Sequence, residues 1–201
     1  MHERPAIVTV EGEKVALSPL VRDLIPRYQA WINNVETLKY LAAVNRPLTL
    51  DEETAWYDDL SKQSDIVSFT IYALPDFLPV EIVTLLHIDF GNRRCDLGIM
   101  IGEADMRGKG LGTESVRLAV DYAFHVLNLH SVMLETYEFN LAGIKAYTRA
   151  GFREIGRRRE ARYHAERYWD VVMMDVLSPS PLRSHAHTPR TFRCRNRPSG
   201  R

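Results

Sequence analysis

The alternation of apolar and polar residues predicts a succession of strands and helices along most of the chain. Runs in which apolar side chains alternate or follow one another closely are typical of strands. These runs read KVALSPL, DIVSFTIYAL, VEIVTLLHIDF, CDLGIMIG and HSVMLETYE. The turn-forming segments PDFLP and GNRR separate the second, third and fourth runs, which predicts an antiparallel meander. The segment FREIGRRREARYHAERYWDVVMMDVL predicts a closing hairpin with its turn near residues 163–166.

Helical periodicity and capping signals mark the segments between the strands. In RDLIPRYQAWINN apolar residues recur at i, i+4 and i+7, and Pro26 fits only in the first turn of an intact helix. In TLDEETAWYDDLSKQ, Thr49 is followed three residues later by Glu52, which is the pattern of a capping box. In NLAGIKAYTRAGF, Asn140 is a strong N-cap and Gly151 is well placed to end the helix.

The longest predicted helix covers about residues 110–127 and carries one apolar stripe. The stripe consists of Val116, Ala119, Val120, Ala123, Phe124 and Leu127. The complete order of elements is β-α-α-β-β-β-α-β-α-β-β. This order predicts an α/β (α+β) fold, with a mixed sheet of about seven strands and helices on both faces.

Charge and composition divide the chain into a body and a tail. The 201 residues are 45% hydrophobic and 26% charged, so residues 1–177 can form a single domain with a sizeable core. Residues 178–201 are rich in Pro, Ser and Arg and include six arginines but no acidic residue, which predicts a disordered tail. Without those arginines, 20 basic residues face 26 acidic ones, a formal charge of −6. An acidic body favours a cationic substrate, and the tail is either a passive extension or a tether to RNA or the ribosome.

Several protein classes are disfavoured by what the sequence contains. Cys95 and Cys194 are distant and unpatterned, and the seven histidines lack metal-ligand spacing, so we expect neither a disulfide framework nor a metal site. No run approaches the roughly 18 apolar residues of a membrane helix, and the N-terminus has no apolar signal region. We therefore expect a cytoplasmic protein with no membrane or DNA partner.

The glycine-rich segment MRGKGLG, residues 106–112, lies between a predicted strand and the longest helix. A dinucleotide fingerprint requires a third glycine where Thr113 stands. A P-loop requires glycine at the position of Arg107 and a hydroxyl residue after Lys109, where Gly110 stands. Both nucleotide patterns therefore fail, and two interpretations stay open. The start of the helix can bind a diphosphate through backbone N–H groups, or the segment is only a tight turn.

Two motifs, on elements in the matching order, resemble those of the GNAT superfamily of acetyl-CoA-dependent N-acetyltransferases. RGKGLG matches the signature Arg/Gln-x-x-Gly-x-Gly/Ala, and NLAGIKAYTRAGF resembles Asn-x-x-Ala-x-x-x-Tyr-x-x-x-Gly-Phe, with Gly143 where alanine is usual. The resemblance covers about residues 12–177. The segments RDLIPRYQAWINN, NRRCDLGIMIGE, AVDYAFHVLNLH and YEFNLAGIKAYTRAGF are most similar to the branch with ribosomal-protein N-terminal acetyltransferases and spermidine acetyltransferases.

The resemblance implies that acetyl-CoA is the cosubstrate and enters a V-shaped opening between DLGIMI and VMLETY. Backbone groups of Met100 and Ile101 would hold the pantetheine arm and the thioester. Asn140 would contact the pantetheine side as well as cap its helix. The residues implied to hold the pyrophosphate are Arg107, Gly108, Lys109, Gly110, Leu111, Gly112 and Thr113.

The resemblance also implies a proton donor, whereas the proton acceptor stays open. Tyr147 matches the family tyrosine that protonates the departing thiolate, although its position also suits an apolar helix face. Glu135 lies on a strand that lines the opening, and His87, on the preceding hairpin, could accept a proton near pH 7. Glu36 lies after the first helix, in a segment that often lines the acceptor pocket in this family.

The function implied is transfer of an acetyl group to a primary amine by direct attack. A polyamine or another small cationic amine is the first candidate for the acceptor. The alternatives are N-terminal acetylation of a ribosomal or other protein, or a non-catalytic domain that binds acyl-CoA. The branch also implies a homo-oligomer, either a dimer or a larger ring.

Overall fold

The computed structural model describes residues 5, 7–41, 46–60, 62–103, 106 and 108–179. Within those residues eight strands form one sheet, and five α-helices accompany it. The strands are β1 (Val10–Glu11), β2 (Val15–Pro19), β3 (Val67–Ala73), β4 (Leu78–Asp89), β5 (Arg94–Ile101), β6 (Ser131–Tyr137), β7 (Arg153–His164) and β8 (Arg167–Leu177). The helices are α1 (Ile25–Ile32), α2 (Val35–Leu38), α3 (Leu50–Leu60), α4 (Leu111–His125) and α5 (Leu141–Arg149). Arg107 and residues 180–201 of the predicted tail lie outside the described residues.

The strands lie in the order β1-β2-β3-β4-β5-β6-β8-β7. All neighbours pair antiparallel except β5 and β6, which are parallel. The predicted mixed sheet, the meander β3-β4-β5 and the closing hairpin β7-β8 are therefore confirmed. The sheet described here has one strand more than predicted, because β1 has only two residues and such a short strand leaves no alternation to detect.

The two faces of the sheet carry different helices. Val83 and Leu85 of β4 belong to the main core together with Val116 of α4. Ile82, which directly precedes Val83, packs with Tyr28 of α1 in a second cluster. Because successive residues of a strand point to opposite faces, helices cover both faces of the sheet, as predicted.

The capping signals form as the sequence predicts. The Thr49 amide donates to Glu52 Oε2 at 2.9 Å, and the Glu52 amide donates to Thr49 Oγ1 at 3.3 Å, so the capping box starts α3. Pro26 lies in the first turn of α1. Gly151, which follows the C-cap Ala150 of α5, has a φ of +104°, a conformation that suits glycine at a helix C-terminus. The short helix α2 was not predicted, because one turn gives no measurable periodicity.

The sheet opens between its two parallel strands. Pairing of β5 with β6 consists of Arg94 with Ser131, Cys95 with Val132, and Asp96 with Met133. Beyond Asp96, β5 stays paired with β4 as far as Ile101, and β6 stays paired with β8 as far as Tyr137. The ends of β5 and β6 therefore face each other without a ladder and form a V-shaped opening.

Candidate active site

A cavity of about 330 Å³ lies at the V-shaped opening, on the face of the sheet that carries α4 and α5. Ile99 and Met100 line it from β5, and Tyr147 lines it from α5. The start of α4 and the loop before it complete the wall. We call this space the donor cavity. The lining of the donor cavity includes residues of both sequence motifs, the glycine loop and the segment that begins at Asn140.

A second cavity, of about 530 Å³, lies on the opposite face of the sheet. Helix α3 lines it with Glu53, Trp56 and Leu60, and β4 lines it with apolar and hydroxyl side chains. We call this space the acceptor cavity. It shares Ile99 and Met100 with the donor cavity, so the two spaces meet where β5 leaves β6.

The glycine loop is shaped to approach an anion through its main chain. Gly108 and Gly110 have φ values of +77° and +85°, a conformation that L side chains rarely adopt. Gly110 is the N-cap of α4, and no side chain of a described residue caps that helix. The first N–H groups of α4 are thus free of intrahelical acceptors, and the positive end of the helix dipole faces the loop. A pyrophosphate fits this arrangement of donors.

Cationic side chains surround the loop. The Lys14 ammonium, which the sequence analysis did not single out, lies 3.5 Å from the carbonyl oxygen of Lys109. The backbone amide of Lys14 donates to Glu114 Oε1 of α4 at 3.0 Å, and this bond holds the turn that carries Lys14 against the helix. Lys145 and Arg149 of α5 also line the donor cavity. Such a set of cations favours a polyanionic ligand.

The predicted loop residues divide into two groups. The members that line the donor cavity are Gly108, Gly110, Leu111, Gly112 and Thr113. Lys109 is not part of the described lining, and its ammonium contacts the Met106 sulfur at 3.3 Å.

Asn140 lines the donor cavity, and both ends of its amide are already used within the protein. Its Oδ1 accepts from the Gly143 amide at 3.0 Å, and its Nδ2 donates to Thr136 Oγ1 at 3.0 Å. A Cβ atom at position 143 would lie 2.3 Å from the Asn140 Nδ2. The glycine that departs from the family motif therefore makes room for this cap.

Tyr147 is half-buried, and its ring makes an edge contact with Phe152 at a centroid distance of 6.3 Å. Burial raises the pKa of the phenol to about 12, and the carboxylate of Glu81 contributes to the same rise. The phenol therefore carries its proton throughout the neutral range. Both expected roles, apolar packing and a hydroxyl at the cavity, are compatible with this position.

Glu81 is a cavity residue that sequence reasoning missed. It lies on β4 with 1% of its surface exposed, and it lines the donor cavity. Its Oε2 has no hydrogen-bond partner among the described residues. Burial raises the pKa of this carboxyl to about 7, although the nearby Ser115 hydroxyl partly offsets the rise. The available signal was one acidic residue inside the otherwise uncharged run PVEIVTLL.

The structure places Glu135, His87 and Glu36 outside the described linings of both cavities. Glu135 points away from its buried neighbours on β6, and its Oε2 lies 3.9 Å from Arg158 Nη1. The His87 Nδ1 lies 2.8 Å from Asp96 Oδ2, at the paired end of β5 rather than at its open end. Glu36 of α2 forms an ion pair with Lys39, the C-cap of that helix. These positions lend no geometric support to the roles expected from the sequence.

The described part of the chain offers neither a metal-binding cluster nor a membrane-spanning helix. It contains no cluster of three or more His, Cys, Asp or Glu side chains that could hold a metal ion. None of its helices is both long and apolar enough to cross a bilayer.

Comparison with solved structures identifies the class of fold as that of N-acetyltransferases. The spermidine N-acetyltransferase of Vibrio cholerae, solved with CoA and spermine, superposes with a TM-score of 0.76 at 25% identity. The superposition covers 82% of this chain and 95% of that chain. A dodecameric structure of the same enzyme superposes with a TM-score of 0.69 at 24% identity, covering 82% of this chain and 94% of that chain.

The chain belongs to the family described as Acetyltransferase (GNAT) domain, which matches residues 14–153. A probable N-acetyltransferase of Bacillus subtilis, YjcK, is 27% identical over 180 residues, covering 89% of this chain and 94% of that protein. The spermidine N(1)-acetyltransferase of Vibrio cholerae is 32% identical over 103 residues, covering 51% of this chain and 59% of that enzyme. The human alpha/beta-tubulin-N-acetyltransferase 9 is 27% identical over 156 residues, covering 72% of this chain and 74% of that enzyme.

Proposed function

We propose that the chain transfers the acetyl group of acetyl-CoA to a primary amine of a small polycation by direct attack. One observation carries this proposal: the donor and acceptor cavities lie on opposite faces of the sheet and meet at Ile99 and Met100. An amine in one cavity can thus reach a thioester in the other through the V-shaped opening. Similarity to spermidine N-acetyltransferases supports a polyamine as the acceptor.

The chain would hold acetyl-CoA chiefly through its backbone. When bound, acetyl-CoA supplies an activated acetyl thioester. Backbone groups of Met100 and Ile101, free of a ladder with β6, would hold the pantetheine arm. The amides between Gly108 and Thr113 would hold the pyrophosphate, with Lys14 as a supporting cation.

Tyr147 would act as the general acid. Its phenol keeps its proton at neutral pH, and it would donate that proton to the sulfur that leaves when the amide bond forms. The entering ammonium first loses one proton to solvent, and the proton that its nitrogen loses as the amide forms passes to the Tyr147 oxygen, which restores the phenol. Ile99 and Met100 give the junction of the two cavities an apolar surface, which would disfavour water next to the thioester.

The wider organisation of the protein is part of the same proposal. We propose that residues 1–177 form the acetyltransferase domain, since the last strand of the sheet ends at Leu177, and that residues 178–201 are an appendage. The dodecameric relative supports a homo-oligomer. The similarity of this chain to a bacterial spermidine N(1)-acetyltransferase supports a cytoplasmic enzyme.

An acceptor screen tests the proposal. Thiol release from acetyl-CoA is measured with polyamines, alkyl diamines, aminoglycosides and peptides with free N-termini. We expect turnover with at least one small polycation and a product acetylated on a primary amine. Intact acetyl-CoA binding without turnover on any amine would overturn the proposal and favour a non-catalytic acyl-CoA-binding domain.

A further inference from the structure

The acceptor cavity contains a buried carboxylate that no described residue neutralises. Glu53 lies on the face of α3 that also carries Trp56 and Leu60, at i+3 and i+7, and all three line the cavity. Only 5% of the surface of Glu53 is exposed. Its carboxylate makes no hydrogen bond and no ion pair within the described part of the chain.

The neighbouring charges do not compensate Glu53. Arg46 is the cation of the described cavity lining, and it is engaged by Glu52. Its two terminal nitrogens lie 3.1 and 2.5 Å from the two oxygens of that carboxylate. This pair neutralises itself, and Glu53 therefore leaves the described lining with one uncompensated formal negative charge.

The rest of the described lining is mainly apolar. Ile82, Leu86 and Leu60 contribute aliphatic surface, and Trp56 contributes an aromatic ring. Burial in these surroundings raises the pKa of the Glu53 carboxyl. An isolated carboxylate is costly in an apolar space, so such a residue is best explained by a cation that enters with the ligand.

We propose that Glu53 is a cation subsite that binds the distal ammonium of a linear aliphatic diamine or polyamine. The reacting amine would lie at Met100, where the two cavities meet, and the methylene chain would lie against the apolar lining between them. A cavity of about 530 Å³ is within the range of small-molecule sites. The inference deepens the proposed function and rests on it, because it names the feature by which the acceptor is selected.

The subsite predicts discrimination between amines that differ by one charge. Pentylamine and 1,5-diaminopentane have the same chain length, but only the diamine can place an ammonium at Glu53. A charge-assisted contact of this kind corresponds to a preference in kcat/KM of about 10-fold to 100-fold. Pentylamine would leave the Glu53 carboxylate unpaired, and a site rejects an analogue of this kind by a factor at least as large.

The test compares the ratio of kcat/KM for the diamine to that for the monoamine in four proteins. In the wild type we expect a ratio of at least about 10, and in Glu53→Gln a ratio close to one. Glu53→Asp keeps the charge and should retain part of the preference, which separates recognition of charge from loss of folding. Asp59→Asn is the matched control, because Asp59 is exposed on the same helix and pairs with Lys62.

The outcomes separate this inference from the function on which it rests. A ratio near one in the wild type, or a ratio that Glu53→Gln leaves intact, overturns the subsite while acetyl transfer to amines stands. Turnover restricted to peptides overturns it as well. No turnover on any amine overturns the proposed function together with the subsite.

Discussion

Tyr147 of α5 and Glu81 of β4 line the same cavity, and the carboxylate of Glu81 raises the pKa of the Tyr147 phenol beyond the effect of burial. The two groups respond to pH in different ranges. The phenol keeps its proton well above neutrality, whereas the Glu81 carboxyl titrates near pH 7. A fixed proton donor therefore lies beside a group whose charge changes under physiological conditions.

Replacement of Tyr147 by phenylalanine tests the proposed general acid. The ring and its contact with Phe152 are retained, so binding of acetyl-CoA should change little. Loss of the phenolic proton should lower kcat by about 100-fold or more, the usual contribution of a positioned acid. Steady-state kinetics and calorimetric titration with CoA measure the two effects. Tyr163→Phe, at an exposed tyrosine of β7, is the control. An unaltered kcat in Tyr147→Phe would remove this tyrosine from the mechanism.

Replacement of Glu81 by glutamine should change how stability depends on pH. The pKa of Glu81 in the folded protein is about 7 against an ordinary value of 4.5, so the folded state binds the proton more tightly. Protonation of Glu81 therefore stabilises the folded state, fully so below about pH 4.5, and this stabilisation is lost as the pH rises through 7. The corresponding decrease in the free energy of unfolding is roughly 3 kcal/mol for a pKa shift of this size.

Chemical denaturation at pH 5 and pH 8 checks this prediction. The free energy of unfolding of the wild type should fall relative to that of Glu81→Gln between the two values. Glu13→Gln, at an exposed carboxylate, should follow the wild type. Parallel pH dependences of the wild type and Glu81→Gln would show that the buried carboxyl does not titrate in this range.

Alanine at Gly110 should weaken binding of acetyl-CoA. The φ of +85° at this position costs an L residue about 1–2 kcal/mol, and a new Cβ would lie 3.3 Å from Lys14 Nζ. Because Gly110 is the N-cap of α4, relief of the strain would move the N–H groups that face the loop. We expect the Kd for CoA to rise by about tenfold.

Gly156→Ala is the matched control for that experiment. A Cβ at position 156 of β7 would meet no atom within 4 Å, and this glycine is not among those with positive φ. Calorimetry should give Gly156→Ala the affinity of the wild type. Equal affinities for both alanine variants would exclude the loop geometry as the source of binding.

Loss of the capping box should destabilise the protein through α3. Thr49→Ala removes the hydroxyl that accepts from the Glu52 amide, and N-cap replacements of this type cost about 1 kcal/mol. Thr54→Ala on the same helix serves as the comparison, since the Thr54 hydroxyl donates to the Leu50 carbonyl within the helix and alanine is the better helix former. The denaturation midpoint should fall for Thr49→Ala alone.

The features that sequence predicted are those set by local chemistry. The box formed by Thr49 and Glu52, the cap of Asn140 and the C-terminal Gly151 each depend on residues a few positions apart. Likewise, the glycine loop could be recognised because the strand, the glycines and the helix that define it are contiguous. Rules for caps and turns concern residues that are close in sequence, so they can be used without knowledge of tertiary contacts.

The remaining features depend on contacts between distant segments. Lys14 reaches a carbonyl 95 positions away, which no local pattern indicates. Glu81 and Glu53 differ from other acidic residues only in the surroundings that bury them. Glu135 and His87 lie on strands that the sequence predicted. Their contacts with Arg158 and Asp96 join different strands, and the sequence did not predict them.

The early end of pairing between β5 and β6 has a consequence for how such enzymes diverge. The peptide groups left without a ladder at the opening are present whatever side chains β5 and β6 carry. Binding of a thioester through these groups would therefore tolerate substitution of the side chains. The acceptor cavity is instead bounded by side chains of α3 and β4. Substitutions on α3 can therefore give a descendant a new amine while its dependence on the same thioester is inherited unchanged.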